Sequence, residues 1–214
     1  MRLPFSLDQF LGVFRAYHDA IGLTPFLLVG LGVALIGLAH SQVPWRDRAI
    51  TAGLGALWAW AGVVYHGLFF SSVNPAASFF GVLFVTEGVV LFTAAARDAI
   101  RFTPVRHGIG WVVLAYALVF YPLIGNAMGH GYPNGPSFGA PCPVTLFTLG
   151  MMLWTRERPP LTVLAIPLLW VAIGTVAALQ LGMVEDFGLA VAGVLVVTEL
   201  MRRSGWRLAG PDPG

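Results

Sequence analysis

Seven side chains carry chemistry inside stretches that are otherwise apolar: His66, Glu87, Tyr121, Asn126, His130, Cys142 and Thr145. A polar or ionisable group placed in lipid is expensive, so each is a candidate ligand-binding residue. Glu87 stands in an apolar run with no arginine within one helical turn, which suits a carboxyl that carries a coupling proton. The plainer alternative is a neutral acid hydrogen-bonded to another helix, or a pair with His66. His66 is a ligand, a proton carrier or a satisfied core histidine. Cys142 with His130 or His66 could form a thiol nucleophile and its base. His66, Glu87, His130 and Cys142 could also converge on a metal, but only through the fold. The motifs HxxxH, HExxH, CxxC and CxxH, whose spacing would hold zinc locally, are absent. His66 and His130 are the one pair suited to bis-histidine haem. The sequence requires no cofactor. All twelve basic residues are arginine, so a retinal Schiff base is excluded, and one cysteine excludes an intrachain disulfide. No glycine-rich phosphate loop follows a strand, and GxSxG is absent.

The elements that must position these groups are membrane helices. The chain has 214 residues, 57% hydrophobic and 10% charged, whereas a soluble domain carries about a quarter charged residues. Apolar runs near 20 residues occupy 24–42, 49–73, 76–97, 109–129, about 136–155, 161–182 and 187–203. Seven spans are therefore expected in an all-α fold. The segments 43–48, 97–108, 156–160 and 202–214 hold ten of the twelve arginines. The loops at 73–76, 125–135 and 183–186 hold none, and the last carries Glu185 and Asp186. This bias places the N-terminus outside and the C-terminus in the cytoplasm. A net charge of +2, spread between segments, argues against a nucleic-acid partner. The partners expected are the bilayer, a small molecule or ion, and further copies or subunits of a larger complex.

Residues 1–22 do not read as a signal peptide, since Asp8, Arg15 and Asp19 interrupt any apolar core. They read as an amphipathic interfacial helix. Leu7, Phe10, Leu11, Phe14, Tyr17 and Ile21 recur at helical spacing, Ser6 and Gln9 form a capping box, and His18 falls on the solvated side. Residues 23–207 form one membrane domain, and 208–214 a cytoplasmic tail.

The stretch 125–145, GNAMGHGYPNGPSFGAPCPVT, interrupts the fifth span with five glycines and four prolines. The regular part, Val144 to Trp154, covers about 16 Å of a core of about 30 Å. The preceding residues must then supply the missing depth as non-helical backbone, with Pro143 opening a half-helix and Cys142 at its start. Such an N-terminus offers free amides and a positive dipole end. An internal repeat supports the same alignment. GVLFVTE at 81–87 and GVLVVTE at 193–199 match at six of seven positions. At the same offset of 112, Leu57, Trp58, Gly62 and Val64 meet Leu169, Trp170, Gly174 and Val176. A 3+1+3 parallel repeat follows: about 24–97, a linker span at 109–129, and about 136–203. Glu199, the mate of Glu87, has Arg202 in reach and reads as a local ion pair.

FYPLIG, followed by GHGYPNGPSFGAPCPVTLFTLGMMLW, with SLDQF near the start and Tyr65-His66 in the second span, resembles a family of small polytopic bacterial membrane proteins known as a domain of unknown function. The resemblance implies a multi-span bacterial inner-membrane protein and transfers no site roles. The leading functional expectation is a small-solute or ion transporter or channel, with a polar site in the outer half of the membrane near the broken fifth span. The alternatives are a membrane-embedded metal- or cofactor-dependent enzyme or redox protein centred on His66, Glu87, His130 and Cys142, and an accessory subunit of a larger membrane complex.

Overall fold

A computed structural model describes residues 3–103 and 108–203. The tail at 208–214 lies outside these residues. Among the described residues there is no strand, only two isolated bridges, so the fold is all-α. In chain order the helices are α1 (Leu7–Ile21), α2 (Thr24–Ala39), α3 (Arg46–Trp60), α4 (Ala77–Ala96), α5 (Gly108–Ala115), α6 (Tyr121–Ala127), α7 (Pro141–Leu153), α8 (Leu161–Leu181) and α9 (Phe187–Arg203). A π-helical run, Ala61–Phe69, continues α3, and a second, Tyr116–Phe120, joins α5 to α6.

Four helical stretches are long and apolar enough to cross a bilayer: Arg46–Ser72, Ala77–Ala96, Gly108–Ala127 and Leu161–Leu181. A fifth arises if α1 and α2, bent by 87° against one another, count together. The chain is thus a membrane protein with four to five such spans. The remaining segments expected to span are shorter helices: α7 has 13 residues and α9 has 17.

The environment of α7 explains how so short a helix is accommodated. It is apolar on every side, which marks a helix enclosed by others. Twelve of its 13 residues are buried, and it packs against α3, α5, α8 and α9. Trp58 of α3 donates to the Thr148 hydroxyl at 2.9 Å and fixes one of these contacts. Its 13 residues rise about 20 Å, but neighbouring helices cover its flanks.

Small residues bring the first long pair together. Between lipid-exposed helices association rests on close packing rather than on water exclusion. At Gly62 an added Cβ would stand 2.8 Å from the Gly81 carbonyl oxygen and 2.9 Å from Phe84 Cβ, so only glycine permits this crossing with α4.

The arginine-bearing loops gather at one end of the bundle. Arg46 donates to the carbonyls of Ser41 and Phe102, Asp47 accepts from the Phe102 amide at 3.1 Å, and the Arg156 amide bonds the Arg101 carbonyl at 2.7 Å. Arg48, in the first turn of α3, pairs with Asp98 just beyond α4. The Arg202 guanidinium grips both oxygens of Glu199, at 2.8 and 2.9 Å, as the i,i+3 spacing predicts.

The opposite end departs from expectation. The capping box forms: Ser6 accepts from the Gln9 amide at 3.2 Å, and Gln9 accepts from the Ser6 amide at 2.9 Å. But α1 is held by protein on more than its apolar stripe. Phe14 stacks on Tyr65 at 5.1 Å, and the Tyr17 hydroxyl accepts from the Trp60 indole at 2.8 Å. His18, expected in solvent, is buried. Its ring nitrogens lie 2.7 Å from the Pro133 carbonyl and 2.7 Å from the Ser137 hydroxyl. The reason is positional, because His18 follows Phe14 by four residues and so shares its face. Thus α1 lies over the glycine- and proline-rich segment and clamps it to the bundle.

Candidate functional site

Beneath α1 lies a cavity of about 680 Å³. Its walls come from the start of the chain and α1 (Phe5, Phe10, Phe14), the π-helical run after α3 (Tyr65, His66), α4 (Phe80), the N-terminus of α7 (Pro141, Cys142), and α8 (Trp170, Gly174). One π-helical run borders it with Tyr65 and His66, and the other leads directly into Tyr121, the first residue of α6, which lines it. Extra residues in a helical turn re-aim the side chains around them, and such runs recur at functional sites.

The polar groups sit in two clusters. In the first, Tyr121 donates to Asp186 Oδ1 at 2.5 Å, and the Cys142 thiol is the second donor facing that carboxyl. Asp186 lies in the short connection between α8 and α9. Burial pushes its pKa up to about 7, against the lowering pull of the Tyr121 and Cys142 hydrogen bonds. The second cluster surrounds His66, whose ring centroid is 4.9 Å from Phe84, 5.2 Å from Trp170 and 5.3 Å from Tyr65. His66 is fully buried, and neither ring nitrogen has a hydrogen-bond partner, while the Trp170 indole N–H is directed at the Cys142 sulfur. Buried polar atoms are partnered in the large majority of cases, so these orphans in a cavity wall mark places where a bound molecule would complete the bonding.

The sequence-predicted residues divide accordingly. His66, Tyr121 and Cys142 line the cavity. Glu87 is fully buried on α4 away from it; its oxygens have no hydrogen-bond partner, and the expected pairing with His66 does not form. His130 faces the other acid of the α8–α9 connection, with Nδ1 3.0 Å from Glu185 Oε1. Asn126 is exposed and packs beside Gly131. Thr145 is buried, and its hydroxyl donates to the Pro141 carbonyl of its own helix at 2.8 Å. Among the described residues no group of three or more His, Cys, Asp or Glu side chains stands where it could hold a metal, so His66, Glu87, His130 and Cys142 are not brought together.

Two further expectations are corrected. The first residue of α7 is Pro141, not Pro143, which puts Cys142 second. Two of the first three residues then lack an N–H, and the Val144 amide is already bonded to the Ala140 carbonyl at 3.1 Å. Only the Cys142 amide remains free, so this end offers an anion far less than an ordinary helix start does. The segment 183–186, expected as a loop joining two spans, is inserted into the bundle, with Glu185 and Asp186 buried. The Tyr116 hydroxyl secures it by donating to the Glu185 carbonyl at 2.8 Å. Burial raises Glu185 above the ordinary carboxyl range, with the His130 contact opposing it.

Asp186 and Trp170 are the functional candidates that residue-type reasoning missed. A signal for both lay in the repeat. Trp170 is the mate of Trp58, and at the same offset of 112 Asn74 meets Asp186. Asn74 and Asp186 both line the cavity.

No curated protein and no solved structure matches the chain. A family model does match, over residues 7–207, from the first residue of α1 to beyond the last described residue of α9, and the chain belongs to that family of unknown function (DUF6064).

Proposed function

We propose that this protein is a small-solute transporter of the bacterial inner membrane and that the cavity beneath α1 is its solute site. The observation that carries the reading is an apolar-walled cavity whose buried imidazole nitrogens, on His66, lack partners. Volumes of about 300–1,000 Å³ with a few convergent polar groups are usual for small-molecule sites. The lining favours a mainly apolar solute with a small polar part over a hydrated ion.

The topology we propose has seven spans, with the N-terminus outside and the C-terminus in the cytoplasm. It is supported by the gathering of the described arginine loops at one end, the end the positive-inside bias assigns to the cytoplasm. The cavity then opens toward the outer face. The 3+1+3 repeat is supported by Asn74 and Asp186, which share a register and a cavity.

Cys142, the single cysteine, provides the test. In reconstituted protein a small maleimide should label it from the outer side, and a transported solute should slow that labelling while it accumulates in proteoliposomes. Labelling that no candidate solute slows, in vesicles that accumulate none, would overturn the reading.

A further inference from the structure

We propose that the cavity accepts a lipophilic organic cation, such as an aromatic amine, with its ammonium head at Asp186 and its body against the aromatic wall. This deepens the proposal that the cavity is the solute site and rests on it.

The charge of the lining points to this class. Among the described residues, Asp186 is the one carboxyl in the cavity's lining, and no arginine lines it. An anionic solute would find no counter-charge there and would face a carboxyl. The single free amide at the start of α7 does not offset that carboxyl. A cation is served on both counts, by the carboxyl and by the faces of Tyr65, Phe70, Phe80 and Trp170. Aromatic faces attract ammonium groups more strongly when water is excluded.

The orphaned nitrogens fit the same head. A neutral imidazole has one ring nitrogen that accepts. An ammonium has N–H bonds to spare after meeting one carboxyl oxygen, and His66 lines the same cavity as Asp186. The volume bounds the size. At about 30 Å³ for each water-sized atom, the 680 Å³ cavity takes a molecule of roughly twenty non-hydrogen atoms.

The test uses three molecules with one body and different heads: 4-phenylbutylammonium, 4-phenylbutan-1-ol and 4-phenylbutanoate. Each is titrated calorimetrically into the full-length protein in nanodiscs, with empty nanodiscs correcting for partition into lipid. We expect the ammonium to bind about tenfold tighter than the alcohol, and the carboxylate to bind weakest. Asp186→Asn should remove the advantage of the ammonium over the alcohol. If the alcohol binds and the ammonium binds no tighter, or if its advantage survives Asp186→Asn, the cation assignment fails while the cavity stands as a solute site. If none of the three binds, both readings fall. Should the Asn variant not fold, the order of affinities in the unmodified protein decides alone.

Discussion

Truncating Phe14 tests whether α1 closes the cavity. Phe14 is 2% exposed, its ring centroid 5.1 Å from both Phe10 and Tyr65. Removing a buried phenyl ring costs about 3–5 kcal/mol in a packed core. The lower figure suits a helix docked at the edge of a bundle, where neighbours can settle into the gap. At 1.4 kcal/mol for each factor of ten, about 3 kcal/mol raises the undocked fraction roughly a hundredfold. The assay is the rate at which a polyethylene-glycol maleimide, too bulky for the closed cavity, reacts with Cys142. Phe14→Ala should react roughly a hundred times faster than the unmodified protein, as the same arithmetic requires. Phe26→Ala, whose ring is 59% exposed on α2, should react at the unmodified rate. A small maleimide distinguishes undocking from general unfolding, because its rate should change much less. If Phe14→Ala and the unmodified protein label equally with the bulky reagent, α1 does not restrict access to Cys142, and the account of α1 as the cover of the cavity is wrong.

Three further outcomes follow from the contacts described. Tyr121→Phe removes the donor to Asp186 Oδ1 and leaves a buried carboxyl one partner short, so thermal unfolding in detergent should show a loss of about 1–3 kcal/mol; an unchanged melting temperature would contradict this. Gly62→Ala drives a methyl against the backbone of α4 and should destabilise by about 1–3 kcal/mol, whereas Gly12→Ala, with no atom within 4 Å, should be neutral or stabilising by up to about 1 kcal/mol. For His18, burial lowers the imidazole below its ordinary value, while the Pro133 carbonyl and the nearby Asp19 pull the other way. The folded state therefore takes up the proton less readily than the unfolded chain. Stability is full above the ordinary histidine range and is lost as pH falls through about 6.5. Labelling of Cys142 by the bulky reagent, divided by the rate of the small maleimide at each pH to remove the loss of thiolate, should accelerate between about pH 7 and 5.5 in the unmodified protein, and a ratio that stays flat over that window would refute the assignment.

The membrane class, the helical N-terminus and the interrupted fifth segment were legible because each rests on local rules. Apolar run length, a capping box and the missing N–H of proline act within a few residues. What escaped was tertiary. His18 looked polar and hence solvated, but a second layer, the segment around Pro133 and Ser137, covers the side of α1 that a single-helix view leaves bare. Glu185 and Asp186 looked like loop charges because their sequence neighbours mark the end of a span. Only the packing of Tyr116 and Tyr121 shows that the connection turns inward. Glu87 was conspicuous for its apolar surroundings, yet it lies off the cavity, since burial alone does not say which wall a side chain joins. Trp170 was hidden among seven tryptophans and is distinguished by its neighbours His66 and Phe84 alone.

The enclosure of α7 bears on how this protein is made. A stretch of 13 residues, preceded by glycine- and proline-rich chain, is too short to rest alone in lipid after leaving the ribosome. Two of the walls it packs against, α8 and α9, are synthesised after it. The insertion machinery must therefore shelter this segment, neither releasing it sideways nor letting it slip back, until α8 and α9 arrive. A nascent chain stopped before α8 should stay engaged with that machinery or be degraded, whereas one carried through α9 can leave as a finished bundle.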